Sequence, residues 1–433
     1  MKEVGIGLLG FGTVGAGVVE GLQRNADLLA RRTGVRLVLR GIADLDLERD
    51  RGVVVDRALL TRDARAVVED PQVNVVIELV GGTGIARELV TRALELGKPV
   101  VTANKKLLAE YGATLFALAA KQKAELAFEA SVGGGIPIIK SLREGLVANH
   151  IGAAYGILNG TCNYILTRME QEGLAFDEVL QAAQSAGYAE AEPSLDIDGH
   201  DTAHKAAILA SLAYGFPVPM KALLVEGIRG LAQDEIRYAA GLGYRIKLLA
   251  IIKQGDAGVS VRVHPTLVPH GHMLASVSGV FNAVLVRGDI VGDTLYYGRG
   301  AGRLPTASAV LADVADVARR LAAGARADLP VFPPLEKPVA LAPVETVEAR
   351  YYLRLSLLDK PGVLARVAQV LGQHQISIAS MIQKEQSRGD YVPVIILTHA
   401  AVEKNFQAAL DEIDQLDVVS AKTVRLRIED FAG

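Results

Sequence analysis

Cysteine is nearly absent from this chain: Cys162 is the only one among 433 residues. That excludes an intrachain disulfide and fits a reducing cytoplasm. Long apolar runs are missing as well. Half of the residues are hydrophobic, yet no run of about 18 apolar residues is free of a charge or a break, so no membrane span is expected. The N-terminus MKEVGIGLLG has no basic segment followed by a cleavable apolar one. It enters a strand directly, and no secretory signal is expected. An excess of one charge is lacking too: 46 basic and 49 acidic side chains leave a net charge of −3. That balance gives no electrostatic case for nucleic acid or anionic lipid as a partner. The length fits two or three domains, with room for sizeable cores.

Glycine, by contrast, is placed with purpose. The apolar segment from Val4 to Leu9 runs into Gly10-Phe11-Gly12-Thr13-Val14-Gly15 and a helical stretch reaching about Arg32. Strand, GxGxxG turn and helix start together make a pyrophosphate site. Glycines allow the tight turn and close approach, and free helix amides meet the anion. The bland alternative is a glycine-rich turn with no ligand. A second strand, from Arg36 to Ala43, ends at Asp44, where a carboxylate binds adenosine ribose hydroxyls and repels a 2′-phosphate. Arg49 and Arg51 follow closely and are able to receive that phosphate instead. The sequence leans towards NAD and leaves NADP open. Further apolar strands, from Val73 to Val80, Pro99 to Ala103 and Leu126 to Ala130, read as buried on both faces, as in a parallel sheet. Lys105 follows the end of one of them, and ligands of such sheets bind beyond the strands' C-terminal ends.

The densest run of charge is Gly187 to Ala207, GYAEAEPSLDIDGHDTAHKAA. Glu190, Glu192, Asp196, Asp198 and Asp201 precede Lys205. Pro193 and Gly199 break the first part into loop, and Asp201 to Tyr214 reads as helix. Asp201 and Lys205 stand at i and i+4 and share a face. Ile208 and Leu212 continue that stripe inward, which holds the pair at the mouth of a core. A solvated acidic loop with an ordinary helical ion pair has the same residues. An EF-hand loop starting at Asp196 is excluded, because it needs glycine at Asp201 and glutamate at Ala207.

Within this run Ala183, Gly187-Tyr188, Pro193, Asp196, Gly199, Asp201 and Lys205 resemble the signature of homoserine dehydrogenases in identity and spacing. Glu192 departs from it, since the family commonly has the shorter Asp before the proline. The resemblance implies hydride transfer between a nicotinamide cofactor and L-aspartate 4-semialdehyde, giving L-homoserine, a step of threonine, methionine and isoleucine biosynthesis. Lys205 is then the expected proton donor, with Asp201 orienting and charge-balancing it. A free lysine amine has a pKa of about 10.4 and donates near neutral pH, whereas desolvation or a nearby cation turns such a group towards a base. Lys105, in Ala103-Asn104-Lys105, matches a lysine between cofactor and substrate. Glu190 and Asp196 are expected on the substrate ammonium and hydroxyl, with Thr161, Gly187 and Tyr188 shaping the pocket. By the same resemblance, oxygens of Glu129, Val132, Gly134 and Ile136, largely main-chain carbonyls, hold a monovalent cation, Na+ or K+. Residue chemistry alone suggests no such metal. The second glycine-rich turn, Tyr297 to Thr306, matches one that brings backbone amides to the cofactor, with Gly302 among them.

Segments from Arg245 to Lys253, Val259 to Pro265 and Asn282 to Val286 alternate as in an antiparallel sheet. Val263-His264-Pro265 reads as a strand end, and His264 receives no chemistry. Ala323 to Val347 is rich in alanine and proline, which marks a linker. Beyond it the chain reads βαββαβ, with Asp359-Lys360-Pro361-Gly362-Val363-Leu364 opening the first helix. That order and turn resemble the ACT domain, an amino-acid-binding regulatory module that usually pairs with a second copy. The resemblance implies an end-product effector, threonine being the usual one, and a homodimer or higher homo-oligomer; pairing without an effector stays open. The expected architecture is α/β. It comprises a Rossmann-type NAD(P)-binding domain at 1–149 completed by 304–325, an α+β substrate and dimerisation domain at 150–303, a linker at 326–348, and an ACT domain at 349–433. Two other readings compete: another dehydrogenase of small amino or oxo acids, which leaves Asp201–Lys205 without a reason, and a non-catalytic amino-acid sensor, against which Lys105, Glu190, Asp201 and Lys205 argue.

Overall fold

The computed structural model describes residues 1–325, 340–383 and 390–431. Most of the expected linker, with Pro330, Pro333, Pro334 and Pro338, lies outside the described residues. Packing divides the chain into two units.

The first unit takes Met1–Gly160, Asp201–Lys221 and the residues from Val280 through the helix Arg303–Ala322. Its strands β1 (Lys2–Leu9), β2 (Val35–Ala43), β3 (Leu60–Thr61), β4 (Val75–Glu78), β5 (Val100–Thr102) and β6 (Leu126–Ala127) pair in parallel. Their order is β3-β2-β1-β4-β5-β6. Strand order reverses between β1 and β4, which opens a crevice beyond their C-terminal ends. Ile6, Leu8, Ile42, Val75, Ile77 and Val101 fill one core with Val310, Val314 and Val317 of the helix Arg303–Ala322. Apolar β-branched residues dominate because both faces of this sheet are covered.

The helices are α1 (Thr13–Arg24), α2 (Ala26–Thr33), α3 (Ala64–Glu69), α4 (Ile85–Glu95) and α5 (Lys105–Gln122). The helix expected to run unbroken to Arg32 is split at Asn25, which caps the C-terminus of α1 and the N-terminus of α2. The strand expected from Leu126 to Ala130 stops at Ala127. Glu129 turns its carboxylate to the amides of Ile139 and Lys140, at 2.9 and 2.8 Å, and the chain enters a 3-10 turn. A three-stranded antiparallel sheet, with Phe281–Gly288 between Ile151–Ile157 and Gly292–Arg299, completes this unit.

The second unit takes Thr161–His200, Ala222–Gly279 and the residues from Ala340 on. Its long hairpin pairs Tyr244–Gly255 with Gly258–Pro269. Val263, His264 and Pro265 therefore lie inside a strand rather than at its end, because the partner strand continues alongside to Tyr244. Ala340 and Ala342 bracket Val259 through backbone bonds of 2.9 Å each, so the last part of the expected linker is pinned to this hairpin. The C-terminal strands run in the order Val424–Ile428, Glu348–Leu358, Tyr391–Thr398, Ile378–Gln383, all antiparallel. With the helices Val363–Gln373 and Glu403–Ile413 they form the βαββαβ ACT fold. Val424–Ile428 also pairs in parallel with Gly258–Pro269 through Thr266 and Leu267. Tyr351 stacks on Phe406, ring centroids 3.5 Å apart, in the ACT core.

Close approach inside the first unit rests on small residues. A Cβ on Gly17 of α1 would stand 2.5 Å from the carbonyl oxygen of Arg303. Gly17→Ala is therefore expected to destabilise the protein by about 1–3 kcal/mol, the usual cost of overpacking, despite alanine's better helix propensity. Urea unfolding followed by circular dichroism checks this; an unchanged or raised midpoint contradicts it.

Candidate active site

Three segments of the first unit meet at one carboxylate. Asp201 lies in the first turn of the helix His200–Tyr214 and is 3% exposed. Lys205, one turn on and 8% exposed, donates from Nζ to Asp201 Oδ2 at 2.6 Å and to the carbonyl of Leu158 at 2.6 Å. Asn159 Nδ2 donates to the same Oδ2 at 2.9 Å. On the other oxygen, Lys105 Nζ stands 3.0 Å from Oδ1. Burial drives the Asp201 carboxyl upward, but the charges of Lys205 and Lys105 and the bonds from Lys205 and Asn159 outweigh it. They hold the group well below the usual carboxylate range,.

Lys105 is the first residue of α5, shortly beyond the end of β5. A cation is unfavourable at that positive helix end, and Asp201 compensates it. Its placement is fixed by neighbours. Asn104 caps α5 by accepting from Leu107 N–H at 3.1 Å and donates to the carbonyl of Gly82 at 2.7 Å. Glu78, buried at the end of β4, accepts from Thr102 Oγ1 at 2.6 Å and from the amides of Val80 and Gly81 at 2.9 Å each. In the sequence Glu78 is one of two polar residues, with Asn74, in the otherwise apolar stretch from Val73 to Val80. Its position beside Gly81-Gly82 was the available signal.

The glycine turn after β1 has the geometry of a phosphate cradle. Gly10 sits at φ +92, and a Cβ on Gly15 would lie 2.2 Å from the carbonyl of Gly10. No side chain caps α1 at Gly12, and nothing lies within 4 Å of a Cβ built there. Its first amides are thus open to an anion. A cleft of about 700 Å³ lies beside it, lined by Gly10, Gly12, Asp44, Leu79 and Val80 among others. Thr13 is exposed, Val14 half-buried and Phe11 buried under the guanidinium of Arg51, 5.0 Å from the ring centre. Asp44 accepts from the Phe11 amide at 2.6 Å and from Arg51 Nη2 at 3.1 Å. Arg51, not Arg49, is therefore the arginine at this carboxylate. These residues fit a dinucleotide.

The loop from Glu129 to Ile136 turns through left-handed Gly133 and Gly134, and a Cβ on Gly134 would meet the carbonyl of Gly300 at 2.4 Å. Each carboxylate oxygen of Glu129 accepts from one amide, while the main-chain carbonyls of Glu129 and Ile136 accept from the amides of Val132 and Ile138 at 3.5 and 2.8 Å. Gly302, at φ +127, starts the helix Arg303–Ala322. Asn282 is a feature the sequence did not reveal: it is buried against Gly300, and neither end of its amide has a partner among the described residues. His204, next to Lys205, is buried too, and that burial pushes its pKa down.

The remaining expected residues belong to the second unit. Thr161 Oγ1 donates to the carbonyl of Tyr188 at 2.7 Å, and the Tyr188 ring lies 4.9 Å from that of Tyr164. Cys162 Sγ approaches the carbonyl of Asp196 at 3.2 Å. Gln184 holds the carbonyl of Glu190 at 3.1 Å. Gly187, Tyr188 and Glu190 are exposed, and Asp196 is half-buried. The stretch from Pro193 to Gly199, expected as loop, holds a one-turn helix at Ser194–Ile197.

Three family models match the chain: the NAD-binding domain of homoserine dehydrogenase over residues 10–129, homoserine dehydrogenase over 137–315, and the ACT domain over 351–418. A homoserine dehydrogenase of Neisseria gonorrhoeae is 47% identical, with both chains covered in full. One of Bacillus subtilis is 37% identical over 99% of each. The crystal structure of a homoserine dehydrogenase from Thiobacillus denitrificans superposes with a TM-score of 0.95 at 47% identity, covering 100% of this chain and 99% of that one. A hyperthermophilic archaeal homoserine dehydrogenase in complex with NADPH has a TM-score of 0.62 at 30% identity, covering 73% of this chain and 97% of its own.

Because the folded-state pKa of Asp201 is depressed, its stabilisation is present above the unfolded value of about 3.9 and is lost as pH falls through the folded one. Asp201→Asn is expected to be less stable than the parent at neutral pH, with the difference shrinking below about pH 4. Urea unfolding of both proteins between about pH 7 and 3 measures this. A difference that stays constant over that range contradicts it.

Proposed function

The chain belongs to the homoserine dehydrogenase family, acting as an NAD(P)-dependent oxidoreductase, and we propose that Lys205 moves the proton in its reaction. The observation that carries this reading is the Lys205–Asp201–Lys105 array. When bound, the nicotinamide supplies the hydride to L-aspartate 4-semialdehyde or takes it from L-homoserine. Lys205 Nζ, held by the Leu158 carbonyl and by Asp201, gives its proton to the oxygen formed on reduction and recovers one in the reverse direction. Asp201 fixes the position of that ammonium. Lys105 balances the second carboxylate oxygen and orients substrate against cofactor. The three side chains carry two positive charges and one negative, and the surplus favours an oxygen that becomes anionic.

Glu190 and Asp196 bind the substrate ammonium and hydroxyl, while Thr161, Gly187 and Tyr188 shape the pocket. Gly10 to Gly15 and Gly302 hold the cofactor's phosphates. Asp44 favours NAD over NADP by repelling a 2′-phosphate, moderated by the Arg51 guanidinium on the same carboxylate. The main-chain carbonyls of Glu129, Val132, Gly134 and Ile136 hold a monovalent cation, which would fix the glycine turn. A substrate domain at 150–303, an ACT module that binds threonine, and a homodimer or higher oligomer complete the reading. In support of the last, the strand Gly292–Arg299 ends its sheet, and Ile290, Val291 and Tyr297 near it are exposed. No described helix is long and apolar enough to cross a membrane, and the single, buried thiol suits a cytoplasmic setting.

General acid–base catalysis by one side chain contributes about 10²- to 10⁴-fold. Lys205→Met is expected to lower kcat by roughly that range, with cofactor affinity near normal. Lys105→Met should lower kcat and also weaken substrate or cofactor binding, because it removes a charge facing both. Asp201→Asn should fall with Lys205→Met, and the double variant should be little worse than either, as for groups that act as a unit. Steady-state kinetics of homoserine oxidation with fluorescence titration of NADH decide this. A folded Lys205→Met protein with near-normal kcat moves the proton to Lys105 or to water.

Asp44→Ser is expected to raise kcat/KM for NADP relative to NAD: it removes the carboxylate and releases one Arg51 Nη2 donor, while bonds to the carbonyls of Phe11, Arg49 and Asp46 keep the guanidinium in place. An unchanged ratio means that Asp44 does not face the ribose.

A further inference from the structure

The turn that carries Asp196 rests on a second segment, residues 226–229, and the ACT fold grips that segment. Contact is made at three points. The Ile228 amide donates to the Ile197 carbonyl at 2.7 Å. Gly227 leaves no room for a side chain: a Cβ there would stand 2.0 Å from the Ile197 carbonyl oxygen and 2.4 Å from Asp198 Cα. Arg229 grips Asp198 with two donors at 2.7 and 2.9 Å and reaches Ser194 Oγ at 2.7 Å. Asp198 is consequently held below the usual carboxylate range by Arg229.

Facing the ACT fold, Glu226 accepts from Arg425 Nη2 at 2.7 Å and from Arg427 Nη1 at 2.8 Å, both on the strand Val424–Ile428. The same two arginines bind Glu403, at 3.1 Å from Arg425 and at 2.9 and 2.6 Å from Arg427. Tyr351 donates to Glu403 at 2.7 Å. Charge-assisted, multidentate bonds of this kind fix orientation as well as distance. The amide of Glu226, meanwhile, donates to Val263 at 2.8 Å, so its backbone and its carboxylate are both committed. A shift of Val424–Ile428 therefore reaches residues 226–229, and through them the turn at Ser194–Gly199.

We infer that Glu226 is a positioning residue: it passes the placement of the ACT strand Val424–Ile428 to the turn that carries Asp196, and so sets substrate affinity. This rests on Asp196 as a substrate ligand and on the ACT fold as the regulatory module, and it names the physical route between them. Energetic coupling needs such an element, one whose arrangement both sites bias.

The test uses full-length protein with two variants. Glu226→Gln removes the carboxylate charge, and Arg425→Gln removes a half-buried partner on the ACT side. Without effector, each is expected to raise KM for homoserine at least about 5-fold, the lower end of ordinary coupling between sites, with kcat within about 2-fold. Amide hydrogen exchange at Asp198 and Gly199 should quicken in both. A purely structural role of Glu226 would instead depress kcat and KM effects together or leave Arg425→Gln silent. If either readout fails to move in either folded variant, the route through Glu226 is overturned. A second arm titrates threonine by calorimetry and as an inhibitor. Wild type should bind and be inhibited, and Glu226→Gln should bind but be inhibited less. Wild type that neither binds nor responds to threonine refutes the effector, while KM and exchange still decide Glu226.

Discussion

One buried carboxylate shared by two ammonium groups governs the first unit. Removing Asp201 and Lys205 from water is costly, and close mutual contact, with the half-buried Lys105 on the second carboxylate oxygen, offsets that cost,. The partners come from segments far apart in the chain: Lys105 opens α5, Leu158 and Asn159 follow the strand Ile151–Ile157, and Asp201 and Lys205 share a helix. The array is complete only when all three segments are in place. An incomplete fold leaves a charge buried without a partner, which is far less favourable than an exposed one.

Backbone proximity is the second constraint, and it accounts for where glycine cannot be replaced. Gly15 lies against the Gly10 carbonyl, Gly134 against Gly300, and Gly227 against Ile197 and Asp198. In each case two turns meet main chain to main chain, which brings peptide dipoles to a site at distances that a side chain would forbid. The second unit solves a different problem. There, Glu226, Glu403, Arg425 and Arg427 join the ACT fold to the hairpin and the turn beside it by a closed set of ion pairs. Neutralised internally, this set leaves little field at a distance; its effect is geometric.

The fold class was legible from local pattern. An apolar strand entering GxGxxG, strands apolar on both faces and a βαββαβ tail each follow from periodicity and turn chemistry over short spans. So did the pairing of Asp201 with Lys205, since a helix places i and i+4 on one face. Local pattern misjudged the ends of elements. Asn25 splits a helix that hydropathy reads as continuous, Glu129 ends its strand early because amides ten residues on attract its carboxylate, and His264 lies within a strand that runs on to Pro269, past the end its own pattern suggests.

What the sequence determined by itself, then, is which residues bear chemistry and, for Asp201 and Lys205, the helix that carries them. Tertiary structure alone decided which of them share an atom. Nothing in the spacing of Lys105 and Asp201, 96 positions apart by their numbers, sets them 3.0 Å apart. Nor does any local signal join Asp44 to Arg51 rather than Arg49, fix the carboxylate of Glu129 on two amides, or leave both ends of Asn282 without a partner among the described residues. Periodicity encodes the direction of a side chain from its own backbone, over one or two turns. Electrostatic pairing is settled by distance through space, and that distance is fixed only when separate elements have packed.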